Sequence, residues 1–179
     1  MTPGDLGLLV LRLVVGLTFA GHGAQKAFGW WKGPGWAGWY GAMTRMGFRP
    51  ANLWAVVSIG AELVGGLLLA VGLLTPFAAM ALVGLSVVIV LKVHWAKGFW
   101  NRDGGFEFPL SLLAGVVALA GTGPGSASLD AALGLSYPAE LRGLLIAVGI
   151  LGALVGLAIS RIRPVDSPAA HQGHRPLPG

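Results

Sequence analysis

The chain contains no cysteine. Disulfides, thiol relays and iron–sulfur ligation by thiolates are therefore excluded for this chain, while its compartment is left open. Charge is scarce as well. Only 11% of residues are charged, against about 25% in soluble domains, and just 7 are carboxylates, set against 12 Lys and Arg. No zinc, P-loop, dinucleotide or Ser-His-Asp signature is present, and no internal repeat is evident. What fills the chain is apolar: 55% of residues are hydrophobic and the mean hydropathy is +0.74. A soluble fold of this length could not hide so much apolar surface, so one compact membrane domain is the economical reading.

Five apolar segments can be read, at about Leu6–Phe28, Asn52–Leu74, Pro76–His94, Phe106–Gly121 and Leu141–Ile162. Spans of ~20 apolar residues match a hydrocarbon core of ~30 Å. The first is expected to remain as a span: MTPGD before it carries no positive charge, and no small-residue cleavage site follows it. Thr75 is expected to cap the third helix, with Pro76 in its first turn, making the second and third helices an antiparallel hairpin. In the loop Gly29–Ala51, Trp36, Trp39, Tyr40, Met43 and Met46 follow helical spacing. That predicts a short amphipathic helix lying in the interface, with a lid packed on the bundle as the alternative. Ser128 or Asp130 is expected to cap a short turn before the fifth helix. The tail after Ile162, rich in proline and small polar residues, reads as disordered. The predicted organisation is an integral membrane domain over 1–162 and a cytoplasmic tail over 163–179.

Charge position predicts topology. With five spans, one side receives Lys26, Lys32, Arg45, Arg49, Lys92, Lys97, Arg102, Arg161, Arg163 and Arg175, and the other only Arg142. The positive-inside rule then puts the N-terminus outside and the C-terminus in the cytoplasm. Such basic clusters report topology rather than nucleic-acid binding.

Ionisable groups inside apolar spans are costly and usually face the bundle interior or a polar cavity. Arg12, His22 and Lys26 lie in the first span and Glu62 in the second. By depth, Arg12 is the expected partner of Glu62, as a structural pair or beside a substrate or proton path. A second cluster is expected near the cytoplasmic ends: His22, Gln25, Lys26, Lys92, His94, Asn101, Arg102, Asp103 and Glu107. It would bind a small anion or a quinone head group, or serve as lysines reaching the interface with their counter-ions. Haem ligation by His22 and His94 is disfavoured because nothing specifies two facing imidazoles. Gly149, Gly152 and Gly156 mark the fifth helix as a packing or homo-oligomer face.

Arg12 with His22-Gly23-x-x-Lys26, Glu62-x-x-Gly65-Gly66 with Gly72-Leu73-x-Thr75, Phe106-Glu107, and Gly123-Pro124-Gly125-x-x-Ser128-Leu129-Asp130 together resemble the DoxX family. The resemblance covers about Leu6 to Asp130. It implies an all-α fold, a four-helix transmembrane bundle at about 6–130 of a prokaryotic plasma membrane protein, to which this chain adds a fifth C-terminal transmembrane helix at about 141–162. It also implies a small membrane subunit or partner of a redox complex, linked to quinone or to oxidative stress, with a soluble redox or sulfur-transfer enzyme as partner. The chain has no intrinsic cofactor or metal site by sequence, and quinone is the candidate ligand. Two other readings stand beside it: a membrane scaffold docking soluble enzymes through basic loops, and a small-solute or proton transporter built on Glu62.

Overall fold

The computed structural model describes residues 1–162; the predicted disordered tail, with Arg163 and Arg175, lies outside the described residues. Among these the regular secondary structure is all helical, with no β-strand. In chain order the helices are α1 (Pro3–Phe28), α2 (Gly35–Arg45), α3 (Ala51–Val71), α4 (Thr75–Lys97), α5 (Glu107–Thr122), α6 (Leu129–Ala132) and α7 (Ala139–Ile162). Four of them, α1, α3, α4 and α7, are long and apolar enough to cross a membrane. At 16 residues α5 is shorter, about 24 Å at 1.5 Å per residue.

The start of α1 is set locally. Thr2 and Asp5 cap each other's backbone, Pro3 opens the first turn, and Gly29 ends the helix in the left-handed region (φ 74°). Its register against α3 is set by glycine. A Cβ on Gly16 would lie 2.6 Å from Gly66 O and Ala70 N, and one on Gly23 would lie 2.5 Å from Leu63 N. The two backbones thus touch, which is how helices gain packing energy where lipid is as apolar as leucine. Residue 16 of α1 therefore sits beside 66–70 of α3, so the middle of α1 meets the last turns of α3.

Antiparallel to α3, α4 joins it through a tight turn, but the predicted Thr75 cap is corrected. Leu74 takes the N-cap position with φ 48° and offers no side-chain cap. Instead the Asp130 carboxylate accepts from Leu74 N (2.8 Å), Thr75 N (3.0 Å) and the Thr75 hydroxyl (2.7 Å). Ser128 caps α6, as one of the two expected residues. Along α4, α7 runs parallel: Gly149 meets the backbone of Met80 and Gly84, and Lys92 Nζ donates to Ser160 Oγ at 3.2 Å. Gly149 and Gly156 are thereby used inside the molecule, the latter against Trp54.

The core follows from these contacts. Val15, Phe19, Leu69, Leu82, Val83, Val116 and Leu119 fill the centre, and a second group of Met43, Phe48 and Ala55 seats α2 on α3. That segment is a helix packed on the bundle: Trp39 Nε1 donates to Ser58 Oγ (2.8 Å) while Trp36 and Tyr40 face outward.

Candidate functional site

Both α3 and α4 depart from regular helix at one place each. A π-helical stretch covers Ala61–Gly65 in α3 and another covers Ile89–His94 in α4. Such turns re-aim side chains and are frequent at functional sites. Here they carry Glu62 and His94 to one cavity of about 270 Å³. The cavity is lined by His22 and Lys26 of α1, Glu62 of α3, Ser86 and His94 of α4, Asn101 of the following loop and Phe108 of α5, with Phe19 and Trp39 among the apolar walls.

Inside it the expected pairing of Arg12 with Glu62 is replaced. Lys26 Nζ lies 2.5 Å from Glu62 Oε1, and the ammonium sits over the Trp39 ring, 4.0 Å from its centroid. The cause is the glycine register: contact of Gly16 with Gly66 draws Glu62 to the level of Lys26, not of Arg12. Glu62 is 2% exposed, and its Oε2 has no partner among the described residues. A buried carboxylate oxygen without a donor is expensive, so a fully folded site that keeps one is suited to a ligand with a donor. His94 Nδ1 lies 2.7 Å from Gly104 O. A carbonyl can only accept, so Nδ1 carries the proton and, in the neutral ring, Nε2 is left as an acceptor. His22 packs edge-on to Phe108, centroids 6.1 Å apart.

Of the residues the sequence singled out, this brings together His22, Lys26, Glu62, His94 and Asn101. The others are elsewhere. Glu107 Oε2 accepts from Asn101 N at 2.9 Å and holds the α4–α5 loop rather than lining the cavity. Asp103 is exposed beside Arg102 at 3.4 Å. Gln25 packs against Gly33. Arg12 serves the opposite end of the bundle. It is 3% exposed and donates to Pro124 O (2.9 Å) and to Ala127 O, while Asp5 accepts from Ser126 N. These contacts bind the 123–130 loop across the ends of α1, α3 and α4. Gly72 (φ 68°) makes room, since a Cβ there would meet Ser128 Cβ at 2.6 Å and Arg12 Nη1 at 2.7 Å. Next to this loop Tyr137 is pushed above the ordinary phenol range, by burial first and by the Asp130 charge second.

Trp39 is the residue the sequence did not single out as part of a site. Its signal was an aromatic at helical spacing, which reads equally as interface or packing. It also belongs to a second cavity of about 370 Å³, almost wholly apolar, between α2, α3, α4 and α7, with Met43, Met80 and Gly152 among its walls. The two cavities share Trp39, Ile89 and Val93.

Helices of this length and hydropathy, packed through backbone glycines around a buried ion pair, define a polytopic α-helical membrane protein. The DoxX family model matches residues 7–95. An uncharacterized protein of Haemophilus influenzae is 30% identical over 137 residues, 75% of this chain and 88% of that one. An uncharacterized membrane protein of Mycobacterium tuberculosis is 33% identical over 138 residues, 71% and 81% of the two chains. The inner membrane protein YqjF of Escherichia coli is 31% identical over 128 residues, 70% and 91%. The chain belongs to the DoxX family. No solved structure is significantly similar to it.

Proposed function

We propose that this chain is a quinone-binding membrane subunit of a redox complex in the prokaryotic plasma membrane. The observation that carries the reading is the buried, unpartnered Glu62 Oε2 in a polar cavity that adjoins an apolar one. A quinone has this build: a flat, oxygen-bearing ring on a long apolar tail. The ring suits the cavity between α1, α3, α4 and α5, where Lys26, Glu62, His22 and His94 supply polar atoms and Phe19, Phe108 and Trp39 supply aromatic faces. The tail suits the neighbouring cavity between α2, α3, α4 and α7. Bound quinone would supply the redox chemistry that no side chain here supplies, and electrons would come from or go to a partner enzyme.

By charge, the loops at the polar-cavity end face the cytoplasm. Among the described residues, Lys32, Arg45, Lys97 and Arg102 lie there, while the other end has Arg142 in the first turn of α7 and the buried Arg12. This makes that end the docking side for a soluble redox or sulfur-transfer enzyme, with 1–162 as one membrane domain. A scaffold reading rests on the same face, where the exposed Trp95, Phe99 and Trp100 accompany the cations.

Native mass spectrometry of the protein, gently extracted from its own membranes, tests this. Quinone should co-purify with the wild type and with Glu107→Gln, and be lost from Glu62→Gln. A wild-type chain that carries only a soluble enzyme, and no quinone, would sink the quinone reading and leave the scaffold.

A further inference from the structure

The polar cavity is unevenly supplied with donors and acceptors. In the ion pair Glu62 is a carboxylate, which only accepts; Lys26 takes one of its oxygens and leaves Oε2 unpartnered. Across the cavity on α4, Gly104 O fixes the proton of His94 on Nδ1, so the neutral ring offers Nε2 as a second acceptor. The strongest donor is largely engaged, since the Lys26 ammonium bonds Glu62 on one side and lies on the Trp39 face on another. Ser86 is engaged too, donating to Leu82 O at 2.7 Å. His22 and the Asn101 amide also line the cavity and can each donate or accept, so the unmet need is a donor for Glu62 Oε2, and the complement is a flat aromatic molecule that brings an O–H to it.

We infer that the site selects the reduced, diphenol form of its ligand over the oxidised, dicarbonyl form. This rests on the quinone reading and adds the redox state that is held. A diphenol donates to Glu62 Oε2 and to His94 Nε2, whereas a dicarbonyl only accepts and leaves the buried carboxylate oxygen without a donor. Sites built around a ligand's O–H discriminate strongly against analogues that lack it, because their own polar groups are then left unpaired.

The test uses the full chain in lipid nanodiscs with a short-tailed benzoquinol, its benzoquinone and the dimethyl ether of the quinol as probes. Binding is measured anaerobically by equilibrium dialysis at about pH 8, above the ordinary imidazole range. The quinol should bind at least about tenfold more tightly than the quinone, the ratio set by ~1.4 kcal/mol. The dimethyl ether, which keeps the shape but has no O–H, should bind no better than the quinone. In Glu62→Gln, whose amide both donates and accepts, the preference should collapse. Equal or tighter binding of the quinone to the wild type overturns the inference while leaving quinone binding intact. If neither redox form binds, the proposed function falls with it. The wild-type comparison with the dimethyl ether decides the matter even where Glu62→Gln fails to fold.

Discussion

Lys26 and Glu62 stabilise the fold only as a pair. Glu62 is 2% exposed, and removing its cation leaves a buried charge with a single polar environment, a loss of about 3–5 kcal/mol in comparable cases. Lys26→Met should therefore lower the thermal unfolding midpoint in detergent sharply. Lys26→Met combined with Glu62→Gln should recover most of that loss. If the double variant is as unstable as the single one, the pair is not what Lys26 contributes. At the other end Asp130 has three donors on it, from Leu74 N, Thr75 N and Thr75 Oγ1. Asp130→Asn keeps the shape but gives up charge-assisted bonds and turns one acceptor into a donor facing donors. A cost of about 1–3 kcal/mol is expected, read in the same unfolding assay, with quinone content unchanged because the two ends are separate.

Between α1 and α3 it is glycine, not side-chain volume, that sets the geometry. Gly16→Ala would press a methyl against Gly66 O and Ala70 N at 2.6 Å, both backbone atoms that cannot turn away. The helices would have to separate or slide, and sliding would take Glu62 out of reach of Lys26. We expect loss of both stability and ligand from Gly16→Ala. Gly60→Ala is the matched control in α3: a Cβ there meets nothing within 4 Å, so it should be neutral or stabilise by up to ~1 kcal/mol through helix propensity. Equal behaviour of the two variants, followed by thermal unfolding and quinone content, would rule out close α1–α3 contact. α2 makes a related point. Its helical spacing was legible in the sequence, but the same aromatics suit an interface or a packed face. Only the bond from Trp39 to Ser58 and the burial of Met43 turn it toward the bundle.

For the molecule as a whole, the missing cysteines are an experimental convenience, because any introduced thiol is unique. If the proposed topology holds, with the N-terminus outside, Ser126→Cys should react with a membrane-impermeant maleimide in intact cells. Gly98→Cys should react only after permeabilisation. The reverse pattern would invert the proposed topology. Gly98 has φ 80° and ψ −167°, a backbone conformation that is essentially reserved for glycine, so Gly98→Cys is strained and Lys97→Cys reads the same side without that strain.

Composition and periodicity by themselves determined that this is a helical membrane protein, roughly where its helices begin and end, and that Arg12, His22, Lys26 and Glu62 needed internal partners. Those follow from local physics: apolar runs must be helical in lipid, and buried charge must be neutralised. Tertiary structure alone decided who the partners are. Depth counted along separate helices suggested Arg12 for Glu62, but counting cannot reveal how far one helix is shifted along another. Backbone contact at Gly16, Gly23 and Gly66 fixes that shift, giving Glu62 to Lys26 and leaving Arg12 to the carbonyls of Pro124 and Ala127. The same shift, with the two π-helical stretches, brings His94 to Glu62's cavity and leaves Glu107, equally promising in sequence, holding a loop.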